Sequence, residues 1–133
     1  MKVFALIASI AIIFAITSGT AVAQDAAKPS AGIAWTATTL DFGKIEQGKP
    51  VTAEFEFKNP SMVPLIISSV RPTCGCTVAD YPKEPVQPGK SGKIAVTYNA
   101  ASSGFFQKTI VITTNATEGT TSLVIKGEVI IKN

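Results

Sequence analysis

Strict alternation of apolar and polar residues is the feature that most constrains this chain. In "VTAEFEFKN", Val51, Ala53, Phe55 and Phe57 fall on one face of an extended strand and Thr52, Glu54, Glu56 and Lys58 on the other, because successive strand residues point to opposite sides. Such a segment puts one face on a core and one in water. The same period recurs in "IAWTATTLDFG", "PLIISSVR", "GKIAVTYN" (Ile94, Val96 and Tyr98 inward), "FFQKTIVITTN" (Phe106, Ile110 and Ile112 inward) and "TSLVIKGEVII" (Leu123, Ile125, Val129 and Ile131 inward). Between these runs lie "NPSMVP", "YPKEPVQPGKSG", "NAASSG" and "NATEGT", which are rich in turn-forming residues. No segment shows a helical stripe.

With a short piece around Cys76 to Tyr81, about seven strands are expected in roughly 100 residues, which predicts an all-β, immunoglobulin-like antiparallel two-sheet sandwich. A small barrel is the alternative. The two cysteines lie at one strand end, so no antibody-like disulfide can link the sheets and apolar packing must hold the core.

Ahead of the strands, Met1 and Lys2 give a positive start, "VFALIASIAIIFAI" is an unbroken apolar run, and "TSGTAVAQ" ends it with small residues. This is the layout of a secretory signal peptide. Ala21 and Ala23 place the cut before Gln24, so residues 1–23 are the expected signal peptide, 24–32 a flexible lead and 33–133 the folded domain. The competing reading is a retained membrane anchor, for which the small, turn-prone "TSGTAVA" is poor material. No cysteine follows the apolar run, which excludes lipid attachment there. The expected location is secreted or periplasmic, with no membrane association after cleavage.

The chain contains no histidine. This removes the commonest general base, the Ser-His-Asp and Cys-His arrangements and histidine metal sites, so no catalytic residue, no cofactor and no enzymatic activity are expected. Glu54 and Glu56 alternate with core phenylalanines and read as a solvated face. Asp80 and Glu84 flank the proline-braced "YPKEP", where a turn role outweighs ligand contact. "PGKSGK" lies between strands and reads as a tight turn, not a phosphate cradle. Trp35 reads as a sheet-edge packing residue, and the Asn115-Ala116-Thr117 sequon as turn chemistry. Without Lys2 the balance is 11 basic to 9 acidic residues, scattered singly, so nucleic acid is not an expected partner.

Cys74 and Cys76, in "RPTCGCTV", carry the remaining chemistry. In a flat strand their alpha carbons lie roughly 6.5 to 7 Å apart, at the limit of a disulfide. Gly75 can take a positive φ and fold them together. The resulting three-residue loop stabilises by only about 1.6 kcal/mol on the chain-entropy expression. A strained, exposed bond of this kind is easily reduced, which opens a redox reading, although the nearest basic residue, Arg71, is three positions away. Copper(I) accepts two thiolates in linear coordination; with Met62 the one methionine left after cleavage, a thioether-rich site cannot form. Covalent linkage to another protein is the fourth reading.

The run from "LIISSVRPTCGCTV" through "PGKSGKI" to "FFQKTIVITTN", preceded by "FEFKN", resembles the secreted bacterial family called domain of unknown function 1573, over about residues 38 to 129. The resemblance implies an immunoglobulin-like sandwich, similar to the major-sperm-protein and pilus-chaperone groups, and it places the family's cysteine pair on Cys74 and Cys76. It brings no activity. Together these readings make the protein a non-catalytic module that binds or scaffolds envelope or secreted proteins, with a thiol redox protein or a copper(I) carrier as the alternatives.

Protein recovered from its native host should begin at Gln24, as N-terminal sequencing would show. An intact Met1 in the membrane fraction would establish the anchor instead.

Overall fold

The structure, a computed structural model, describes residues 31–133. The expected signal peptide, and all of the expected lead except Ala31 and Gly32, lie outside the described residues. Eight strands follow in order: β1 (Ala34–Trp35), β2 (Thr39–Glu46), β3 (Val51–Lys58), β4 (Ile67–Pro72), β5 (Thr77–Asp80), β6 (Ser91–Tyr98), β7 (Gly104–Thr114) and β8 (Thr120–Ile130). They build two four-stranded sheets, β1-β3-β6-β5 and β2-β8-β7-β4. This is the expected two-sheet sandwich, with eight strands instead of seven.

The additional strand comes from "IAWTATTLDFG", which breaks in two. β1 pairs with β3 in the first sheet, and after Thr36 to Thr38 the chain continues in the second sheet as β2 beside β8. Thr36 N donates to Glu56 O at 3.0 Å and Val124 N donates to Thr38 O at 2.8 Å, so the crossing is tied to both sheets. The β2–β8 pairing is parallel, which corrects the wholly antiparallel expectation. Alternation reports which face of a strand is buried and is silent on the direction of its neighbour.

The side chains singled out for the core by period two in β3, β6 and β7 are buried, including Phe55, Phe57, Ile94, Val96, Ile110 and Ile112, except for Val51 at the start of β3, which is half-buried; Leu123 and Ile125 of β8 are buried as well. Glu54, Glu56 and Lys126 are exposed. Ile131 departs from expectation at 64% exposed, because it follows the end of β8 and no longer faces the other sheet. At the other end, Ala31 is buried and bridges Ala116, so ordered packing reaches back two residues before Ile33.

Two phenylalanines sit over glycines on neighbouring strands. Phe57 is opposite Gly92 across β3–β6, and Phe106 is opposite Gly127 across β7–β8. A Cβ at Gly92 would lie 2.6 Å from the Phe57 ring, and one at Gly127 would lie 2.8 Å from Gly43 O and 3.0 Å from the Phe106 ring. Each ring therefore fills space that only glycine leaves free. Trp35 packs on Phe57 with centroids 5.3 Å apart, and Tyr98 stacks on Phe106 at 4.1 Å.

Asn59, fully buried at the end of β3, organises two loops. Its Nδ2 donates to Val63 O (2.8 Å) and Val86 O (2.9 Å), and its Oδ1 accepts from Ser61 N (3.0 Å) and Ser61 Oγ (2.6 Å). Its main chain bonds Lys90 O and Gly89 N. A buried amide satisfied on all sides stabilises, whereas the same groups left unpaired would cost about 1–3 kcal/mol each.

Phe57→Ala should lower stability by roughly 3 to 5 kcal/mol, the usual cost of emptying a phenylalanine site, and Asn59→Ala by about 3 kcal/mol through its orphaned partners. Urea melts measure both. A loss below about 1 kcal/mol at Phe57 would refute the burial argument.

Candidate functional site

β4 and β5 are the outer strands on one side of the sandwich, each closing a different sheet. The chain crosses between them in the four residues Thr73 to Cys76. Thr73 N donates to Thr109 O of β7 (3.0 Å), Thr77 N to Cys74 O (3.4 Å), and Asn99 N, just past β6, to Cys76 O (3.1 Å). The crossing is thus a tight turn attached to both sheets.

A disulfide joins Cys74 and Cys76, with alpha carbons 5.4 Å apart, well inside the range of roughly 4.4–6.8 Å that a bridge accepts. Gly75 is not among the positive-φ glycines, so the contraction comes from the turn closed by Thr77 N and not from a left-handed glycine, as its sequence position suggests. Both cysteines are half-buried. Their Sγ atoms lie 3.8 and 3.9 Å from the hydroxyl of buried Thr77, and Cys76 packs against the core. In this bonded form neither sulfur is a thiolate, so nucleophilic or copper(I) chemistry would require prior reduction.

The other sequence candidates are dispersed around the fold. Asp80 is exposed and its Oδ1 accepts from Tyr81 N at 3.0 Å; Lys83 Nζ sits 3.2 Å from the centroid of the Tyr81 ring, and Glu84 is exposed nearby in sequence. "PGKSG" is a turn, with Gly89 at φ 74° and Lys90 N donating to Gln87 O at 3.0 Å. Trp35 is the edge packing residue expected of it. Asn115 accepts from Ile66 N at 2.8 Å and donates from Nδ2 to Pro64 O at 3.0 Å, so the amide that a glycan would occupy secures the entry to β4. Among the described residues, no group of three or more Cys, Asp or Glu side chains gathers as metal ligands.

Beside the disulfide turn is a feature that the sequence reading passed over. β4 pairs with β7 only from Ile110 to Thr114, whereas β8 pairs with β7 from Gly104 to Thr113. Where β4 leaves for the other sheet, Gly104 to Lys108 has no paired strand on that side among the described residues. Phe105 there is 87% exposed. Lys108, half-buried, lies on the core-facing side of β7 between buried Phe106 and Ile110. Its signal was present in "FFQKTIVITTN", where a lysine interrupts the inward series and a doubled phenylalanine sends one ring outward. Outside this edge a depression of about 570 Å³ crosses the outer face of the second sheet, lined by Asp41, Lys44, Phe105, Gln107, Lys126 and Glu128.

Two four-stranded sheets, with one segment that passes from the first to the second, make an immunoglobulin-like sandwich. Within that class, the chain belongs to the family described as protein of unknown function (DUF1573), whose model matches residues 33–129. A crystal structure of a protein of unknown function from Porphyromonas gingivalis W83 is similar at TM-score 0.65 and 20% identity, over 76% of this chain and 47% of that one, so the chain spans about half of that protein's length. The ASH/PapD-like domain 7 of human CEP192 is similar at TM-score 0.65 and 13% identity, over 100% of this chain and 99% of that one. The YadV chaperone is similar at TM-score 0.56 and 13% identity, over 73% and 51%. No curated protein matches the chain.

Mass spectrometry after alkylation without reductant should find one bridge, between Cys74 and Cys76. Replacing both by serine should lower stability by no more than about 1.6 kcal/mol, the entropic limit for so short a loop. A larger loss in urea melts would mean that the bridge also anchors the β4–β5 crossing.

Proposed function

We propose that this protein is an exported, non-catalytic immunoglobulin-like module that binds or scaffolds other proteins of the bacterial envelope. The observation that carries this reading is the unpaired half of β7 with Phe105 87% exposed beside it. Folded domains blunt free strand edges because an open row of N–H and C=O groups recruits other chains. Of the other outer strands, β1 has two residues, β5 has four and is followed by Pro82, β4 ends at Pro72, and the eight-residue β2 is interrupted by a register shift between Asp41 and Lys44. The β7 edge instead carries an aromatic ring, a residue type enriched where proteins meet.

Export is supported by the charged start, apolar run and small-residue site of residues 1–23. The likeness to a PapD-like domain and to a chaperone agrees with a role in holding other proteins, as an analogy of fold. The redox and copper(I) alternatives both depend on Cys74 and Cys76, and the same variant separates them from binding.

Photo-crosslinking in the native host, with the wild-type protein and with Cys74→Ser/Cys76→Ser, tests the reading. Partner capture should persist in the double variant. Complete loss of capture from a variant that still folds would give the function to the thiols, and absence of any crosslinked partner for the wild-type protein would overturn the binding role.

A further inference from the structure

We propose that the place vacated by β4 beside Gly104 to Lys108 receives an extended strand of a partner protein, which presents a carboxylate to Lys108 and an apolar side chain alongside Phe105. This rests on the binding role above and specifies its site and the chemistry of the occupant.

The hydrogen-bonding direction of β7 follows from two contacts. Thr114 N donates to Gly119 O across the β7–β8 hairpin, and Thr109 O accepts from Thr73 N on the opposite side. Main-chain groups of successive strand residues alternate between neighbours. Even-numbered residues of β7 therefore bond to β8 and odd-numbered ones face β4. Phe105 and Gln107 accordingly turn two N–H and two C=O groups toward a side on which no described strand lies. A strand continuing the line of β4 would satisfy all four. The β4 chain cannot do so itself, because after Thr73 it turns through Cys74 and Cys76 into the other sheet.

Charge narrows the occupant. Lys108 holds a core-facing position of β7 yet is only half-buried, as expected of a lysine whose stem packs while its ammonium reaches water. Arg71, opposite Val111 at the end of β4, is exposed on the outer face of the same sheet, the side to which Phe105 points. Neither cation is in an ion pair among the described residues, where the paired lysines are Lys49, Lys93 and Lys132. On the vacated side Lys108 stands at a non-hydrogen-bonded position, where side chains of an antiparallel pair come closest. An acidic residue there gains a direct charge-assisted contact, and a basic one meets Lys108. On the outer face the facing position adjoins Phe105 and the depression beyond it, which suits an apolar side chain.

The probe is a short synthetic peptide alternating valine and threonine with one central glutamate, compared with the same peptide carrying lysine in its place, each titrated by fluorescence anisotropy against the mature domain. The glutamate peptide should bind and the lysine peptide should bind about tenfold or more weakly, with the order reversed on Lys108→Glu. Gln107→Pro removes only an N–H that faces the vacant side, so it should abolish binding of both peptides while circular dichroism and urea melts stay close to wild type; Phe105→Ser serves as a second edge variant if the proline disturbs folding. Failure of both peptides to bind, or an order unchanged by Lys108→Glu, would overturn the proposal. So would a dimer in sedimentation that Gln107→Pro dissociates, since a second copy would then be the occupant. Envelope partners still crosslinked by Lys108→Glu and Gln107→Pro would sink this site and leave the binding role standing, whereas a wild-type protein that captures nothing would sink the binding role itself.

Discussion

The contact on which the sandwich depends is a phenylalanine ring laid over a glycine, made once in each sheet. The disulfide is local to one turn, so the separation of the sheets is fixed by side chains alone, and Phe57 over Gly92 and Phe106 over Gly127 set how deeply the largest ones sit. Trp35 caps the first ring and Tyr98 stacks on the second. A methyl group at either glycine would collide with ring atoms, and interiors packed at crystal-like density have no slack to absorb it. The aliphatic residues of β6, β7 and β8 fill what remains around these rings.

Around that core, one polar group does for the loops what the rings do for the sheets. Asn59 binds the turn that follows β3 to the proline-rich segment before β6, using every donor and acceptor of its side chain. Such a network favours one arrangement of the two loops over others, because any alternative leaves buried groups unpaired. The disulfide turn occupies a comparable place on the flank, where the chain must leave one sheet and enter the other within four residues.

The buried faces of β3, β6 and β7 could be read directly from the sequence, since each keeps an unbroken period of two and a shift of one residue would expose its phenylalanines or isoleucines. The division of "IAWTATTLDFG" could not, because Thr36 to Thr38 carry no glycine or proline to mark a break, and the parallel alignment of β2 with β8 depends on residues some eighty-five positions apart, Thr39 and Val124. For the candidate site, the proximity of Cys74 and Cys76 was legible and its cause was not: the turn arises where β4 and β5 belong to different sheets. Phe105 and Lys108 were visible as irregularities in the β7 pattern. They acquire meaning only once the early departure of β4 is known, and that is a property of topology, not of local pattern.

The parallel pairing of β2 with β8 bears on when the molecule can become itself. β2 has no neighbour in its sheet other than β8, so this sheet stays open at one side until the last strand has been made. Contacts of such long separation close late and at a high entropic cost in the search for them. A chain synthesised from its N-terminus therefore leaves the ribosome with its first long strand waiting for its final one.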